Sequence, residues 1–115
     1  MNDKHIEWVL QFANAVIGQN TAIEQHDAET GNKFAIKYIE ASDALINAGN
    51  EGIEALASLL NDDRVAVRAM AASYLLPFRA NEALPVLREA ANGEGITALG
   101  AFMTLQRWEG SSVRH

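Results

Sequence analysis

Residues 53–105 say nearly the same thing twice, and that repetition limits what the chain can fold into. The segment Ile53-Glu54-Ala55-Leu56-Ala57-Ser58-Leu59-Leu60 returns twenty-eight residues later as Asn81-Glu82-Ala83-Leu84-Pro85-Val86-Leu87-Arg88. A second segment, Val67-Arg68-Ala69-Met70-Ala71-Ala72-Ser73-Tyr74-Leu75-Leu76, returns twenty-nine residues later as Ile96-Thr97-Ala98-Leu99-Gly100-Ala101-Phe102-Met103-Thr104-Leu105. Apolar and small residues keep their places between the copies. One helix pair used twice is the signature of a stacked helical repeat, in which each pair buries its apolar face against the next.

The rest of the chain reads as helix as well. Residues 4–28 carry Ile6, Val9, Leu10, Ala13, Val16 and Ile17 at helical spacing, with Trp8, Phe12, Ala15 and Ala22 on the flank and Gly18 as the weak point. Gly31 breaks the chain, Thr30 or Asn32 caps the next helix, and residues 32–48 follow with the stripe Phe34, Tyr38, Ala41, Leu45 and Ala48. Gly49-Asn50 ends that helix and starts a third over about 51–60, with Ile53, Leu56, Leu59 and Leu60 toward the core. Asn61-Asp62-Asp63 opens a fourth helix over about 64–76, which Pro77 stops. Asn81 caps a fifth over about 82–92, and Asn92-Gly93-Glu94-Gly95 precedes a sixth over about 96–108. That sixth helix is expected to turn Ile96, Leu99, Phe102, Met103, Leu105 and Trp108 to the core and Thr97, Gly100, Thr104 and Arg107 to solvent.

The prediction is an all-α, single-domain chain of six helices in three antiparallel pairs. Residues 1–48 form an atypical N-terminal pair, 50–77 and 81–108 are the two repeats, and 109–115 are a tail. Length agrees with one domain, and 49% hydrophobic residues are enough for a packed core. No apolar run reaches the roughly 18 residues of a membrane span, and the polar start Met1-Asn2-Asp3-Lys4-His5 resembles no signal or transit peptide. The chain has no cysteine, which excludes disulfides and thiolate chemistry and fits a cytoplasmic location. Its net charge of −6 comes with scattered bases, most of them within four residues of an acid. That pattern argues against nucleic acid, which selects a basic stripe, and suits a protein partner with a basic surface.

At the turn between the third and fourth helices the residues resemble a known family. The run from Leu59-Leu60-Asn61-Asp62-Asp63 through Val67-Arg68-Ala69 is similar to the HEAT-like pattern, and Glu82-Ala83-Leu84-Pro85-Val86-Leu87 resembles the opening of a following repeat. The whole chain also resembles a small bacterial HEAT-like domain family of unknown function. The resemblance implies a right-handed α–α superhelix that serves as a protein-binding scaffold rather than an enzyme. It implies that Asp62 and Arg68 are structural, joining the turn to the helix. Two departures stand out: the repeat is under thirty residues, and Thr97 replaces arginine in the second copy. Some small helical-repeat proteins of this kind neutralise toxins as immunity proteins, which is one alternative. An enzyme or small-ligand binder using a pocket between helix pairs is the other.

No residue set performs chemistry in an evident way. His5, His26 and His115 are far apart and lack metal-ligand spacing, so neither a metal nor a cofactor is expected. The acid pairs Glu24/Asp27, Glu40/Asp43 and Glu51/Glu54 sit three apart on solvated faces, and no catalytic group is assigned. If the pairs stack in register, the outward residues of the second helix of each pair align into one partner-binding face. Lys37, Glu40, Asp43, Ser73, Thr97, Thr104 and Arg107 would form it. Oligomeric state stays open.

Overall fold

The structure, a computed structural model, describes residues 2–113, with side chains through residue 110. Five α-helices and one 3-10 turn account for it, and no strand occurs among the described residues. The fold is all-α.

Helix α1 spans Asp3–Glu24, and the Asn2 side chain caps it by accepting from the His5 amide at 2.8 Å. Its buried side is Phe12, Ala13, Ala15, Val16 and Ala22, while Ile6 and Leu10 are exposed. The flank of the predicted stripe has thus become its centre. Gly18 does not interrupt α1. It is where the Phe34 ring of the second helix lies, so close that a Cβ would sit 2.6 Å from it. Helix α1 stops four residues before the expected end. Asp27 donates its amide to the Ala22 carbonyl at 2.8 Å and His26 to that of Ile23 at 3.0 Å, with His26 in the left-handed region at φ 58°. These paired reverse bonds close a helix C-terminus.

Asp27 then caps α2, Ala28–Asn47, accepting from the Thr30 amide at 3.1 Å and its hydroxyl at 2.7 Å. Neither Thr30 nor Asn32 is the cap, because the carboxylate one turn earlier already satisfies the free amide. Gly49, at φ 81°, separates α2 from α3, Asn50–Ala57, so Asn50 begins the helix rather than capping it. Gly52 presses on the Leu45 carbonyl, where a Cβ would stand 1.8 Å from the oxygen. The 3-10 turn Ser58–Asn61 follows, and Leu56 and Leu59 are buried, as the repeat predicts.

Helix α4 spans Val65–Ala91, over which two helices were expected, and non-helical backbone at Arg79 divides it. Pro77 does not stop it. Proline forfeits one amide bond but fixes φ at a helical value, so its own turn stays helical. The break falls two residues later, at Arg79 (φ −144°, ψ 54°), and Asn81 lies inside the helix instead of capping one. Arg79 pairs with Glu54 of α3 and, at 3.4 Å, with Glu82, which ties the kink to α3. Helix α4 supplies the largest share of the core, with Val67, Ala71, Ala72, Leu75, Leu76, Ala83 and Leu87 among its buried residues. Phe12, Tyr38 and Tyr74 meet edge to face, with centroids 5.8–6.5 Å apart, and join α1, α2 and α4.

Helix α5, Gly95–Val113, departs most from expectation. Its buried residues are Ala98 and Ala101, whereas Ile96, Leu99, Phe102 and Met103 are 48–59% exposed. Leu105 and Trp108 are half-buried against the core. The helix has apolar residues on two sides, and its alanines are the side taken into the core. The tail expected from residue 109 is helical to Val113, and residues 114 and 115 lie outside the described residues.

Candidate functional site

A groove of about 650 Å³ lies between α1, α4 and α5. Its α1 wall is Val16, Gln19, Asn20 and Ile23, spaced so that they share one face of the helix. The first half of α4 contributes Ala66, Ala69, Met70, Ser73 and Tyr74, mostly small side chains that keep this part of the groove open. The α5 wall brings Ile96, Thr97, Gly100, Met103, Thr104, Arg107 and Trp108. Most of this lining is apolar. The two methionines add adaptable, polarisable surface.

The electrostatics are simple. Among the described residues no carboxylate lines the groove, and the one formally charged lining side chain is Arg107. Arg107 donates Nη2 to the Thr104 hydroxyl at 3.4 Å and has no carboxylate partner among the described residues. Burial pushes the Tyr74 phenol above its usual pKa, with Tyr38 adding to the effect and a hydrogen bond with Ser42 opposing it. Tyr74 is therefore a neutral wall at physiological pH. The lining contains neither a carboxylate nor a histidine among the described residues. Among the described residues no group of His, Asp and Glu stands close enough to hold a metal ion. No helix among them is long and apolar enough to cross a membrane.

The residues predicted to form one partner face divide into two sets. Ser73, Thr97, Thr104 and Arg107 come together in the groove. Lys37, Glu40 and Asp43 do not line it, because the wall opposite α5 is α1, not α2. Glu40 and Asp43 stay exposed on α2. The α1 residues Gln19 and Asn20 were missed. The sequence offers one signal for them, two adjacent amides set between Val16 and Ile23 on an otherwise apolar face.

Asp62 and Arg68 lie away from the groove and fix the turn before α4. Asp62 takes the Arg64 guanidinium through both oxygens, at 2.9 and 3.0 Å, and accepts from the Arg64 amide at 2.9 Å. The hydrogen bond from the Arg64 side chain is the main reason that the Asp62 carboxyl is held below its usual pKa. Arg68 reaches the same residue by its backbone, donating to the Asp62 carbonyl at 2.7 Å, and its other nitrogen lies 4.0 Å from Glu89. His5 is buried in the first turn of α1, His26 ends that helix, and His115 lies outside the described residues.

The sequence matches no family model and no curated protein. Among solved structures it is similar to the protein RPA1889 from Rhodopseudomonas palustris CGA009, with a TM-score of 0.85 and 23% identity. The match covers 96% of this chain and 95% of that one. At that identity the likeness establishes the fold over nearly the whole chain.

Proposed function

We propose that this chain is a non-enzymatic protein-interaction module of HEAT-like type whose partner docks on the α1/α4/α5 groove and the adjoining face of α5. One observation carries the reading. The groove does not end at its rim but continues over Ile96, Leu99, Phe102 and Met103, a row of half-exposed apolar side chains on one helix. A contiguous apolar surface of this kind marks a binding site more often than an idle exterior. The HEAT-like stack draws support from the repeat and from the kink at Arg79, which divides α4 into helical halves of the right order for a second and a third pair. A cytoplasmic setting agrees with the absence of cysteine.

A small-ligand binder is the second reading, because about 650 Å³ falls within the usual range for such sites. The two readings separate at the outer face of α5, which a small ligand in the groove has no use for. The experiment is affinity capture from the native host with the wild-type chain, with Gly100→Phe to fill the groove and with Leu99→Lys/Phe102→Lys to spoil the outer face. A protein partner retained by wild type and lost with both variants supports docking. Capture that survives both places the interaction elsewhere and ends the proposal.

A further inference from the structure

The internal repeat also says what is missing from the groove. In the first copy Val67, Ala71 and Leu75 form one stripe at i, i+4 and i+8, and all three are fully buried within the chain. Their counterparts in the second copy are Ile96, Gly100 and Thr104, and all three line the groove. The motif that is covered inside the molecule in one copy is thus open in the other. On the same helix Ile96, Leu99 and Met103 are about half exposed.

From this we infer that the groove receives a single amphipathic helix of the partner protein, which crosses α5 at Gly100 and presents a carboxylate to Arg107. The inference rests on the docking reading above and adds the shape and charge of the occupant. The volume agrees, since one helical turn with its side chains occupies about 400–600 Å³ by pitch and diameter, against about 650 Å³ available.

Gly100 supplies the crossing point. Glycine inside a helix is less stable than alanine, so it is expected where something must come close. Gly18 and Gly52 satisfy that rule within the chain, against the Phe34 ring and the Leu45 carbonyl. Gly100 does not, because a Cβ there would meet nothing within 4 Å; the same holds at Gly110 on this helix, but of the two only Gly100 lines the groove. A backbone arriving from outside accounts for it. Arg107 supplies the charge. Although the chain carries −6, the described residues that line the groove include this one cation and no anion, so the sign of their charge is the reverse of the net charge. A carboxylate on the incoming helix gives Arg107 the acidic partner that it lacks among the described residues and is favoured by fork geometry.

The probe is a displayed library of helical peptides of about 18 residues, roughly five turns, with apolar positions fixed at i, i+3, i+4 and i+7 and the others random. Selection on the wild-type chain should enrich sequences with Asp or Glu bordering the apolar stripe. Those peptides should bind Arg107→Glu about tenfold or more weakly, and exchanging their acid for Lys should restore binding to that variant. Gly100→Phe, whose side chain enters open space, should abolish binding while the variant keeps its helical circular dichroism. Peptides that bind Gly100→Phe as well as wild type would overturn groove docking and this inference together. Peptides lost with Gly100→Phe but indifferent to Arg107→Glu would overturn the carboxylate alone and leave docking in place. Failure to enrich any helical peptide would overturn the helix, whatever the capture experiment finds.

Discussion

Two segments of similar sequence, residues 67–76 in the first half of α4 and residues 96–105 in α5, are two copies of one pattern that differ less in that pattern than in what surrounds them. Both bury a pair of alanines, Ala69 and Ala72 in one and Ala98 and Ala101 in the other. Around that shared strip they diverge. Val67, Ala71 and Leu75 are covered by the chain, while Ile96, Gly100 and Thr104 face the groove. Periodicity says that a helix has an apolar face; only the neighbours decide whether the face is used for folding or left for a partner. The first copy is thus packed inside the molecule, and the second is partly exposed.

Matched substitutions at equivalent positions break or sharpen this contrast. The largest effect is expected at Leu75, a fully buried side chain whose change to alanine leaves a cavity. Leu75→Ala should cost about 2–5 kcal/mol in a urea titration, whereas Thr104→Ala in the second copy should stay within about 0.5 kcal/mol. Equal losses at the two sites would mean that this face of α5 holds the fold together as strongly as its counterpart in α4. Next comes the opposite change. Ala71→Leu forces three more carbons into a site with no exposure and should cost about 1–3 kcal/mol. Gly100→Leu enters open space and should leave the unfolding midpoint unchanged or raised.

A smaller difference is expected where arginine in one copy meets threonine in the other. Arg68 is three-quarters buried and donates to the Asp62 carbonyl. Arg68→Ala should cost about 1.5 kcal/mol, the lower end for a hydrogen bond from a charged group, while Thr97→Ala should cost little. The same turn carries a pH signature. The Asp62 carboxyl is held below its usual value by its hydrogen bonds with Arg64. Its contribution is therefore present above the unfolded-state pKa of about 3.9 and is lost as pH falls through the lower folded value. The stability gap between wild type and Asp62→Asn should shrink between about pH 5 and about pH 2. A gap that stays constant over that range would show that the charge on Asp62 contributes nothing.

The legible part of the fold was what local rules control. Helical periodicity and the burial of Leu56 and Leu59 follow from spacing alone. The faces of α1 and α5 do not, because each has apolar residues on two sides and pattern ranks the larger ones inward. Close packing chose Ala98 and Ala101 over Ile96 and Leu99, and Phe12 and Ala15 over Ile6 and Leu10. Pro77 reads locally as a stop, yet the break falls at Arg79, where Glu54 and Glu82 receive the guanidinium. Ser73 of α4 and Thr97, Thr104 and Arg107 of α5 were named from sequence, the last three because the polar stripe of α5 is conspicuous. The α1 wall was not, since the choice of α1 over α2 as the helix facing α5 is a tertiary fact.

The smallest expected effect is the most specific to the comparison, because it makes one copy identical to the other at a single position. Ala71 and Gly100 are equivalent, and Gly100→Ala turns the second into the first. If Gly100 were required by packing inside the chain, as Gly52 is, the added methyl would have to displace something and stability would fall. Nothing lies within 4 Å of the position that the methyl would take. The substitution should then act only on the helix and the unfolded chain, and should stabilise by about 0.5–1 kcal/mol. A shift of a few degrees in the thermal midpoint, upward, is the readout for a domain of this size. A downward shift would mean that the second copy is packed like the first, and the groove would lose its claim to be an open face.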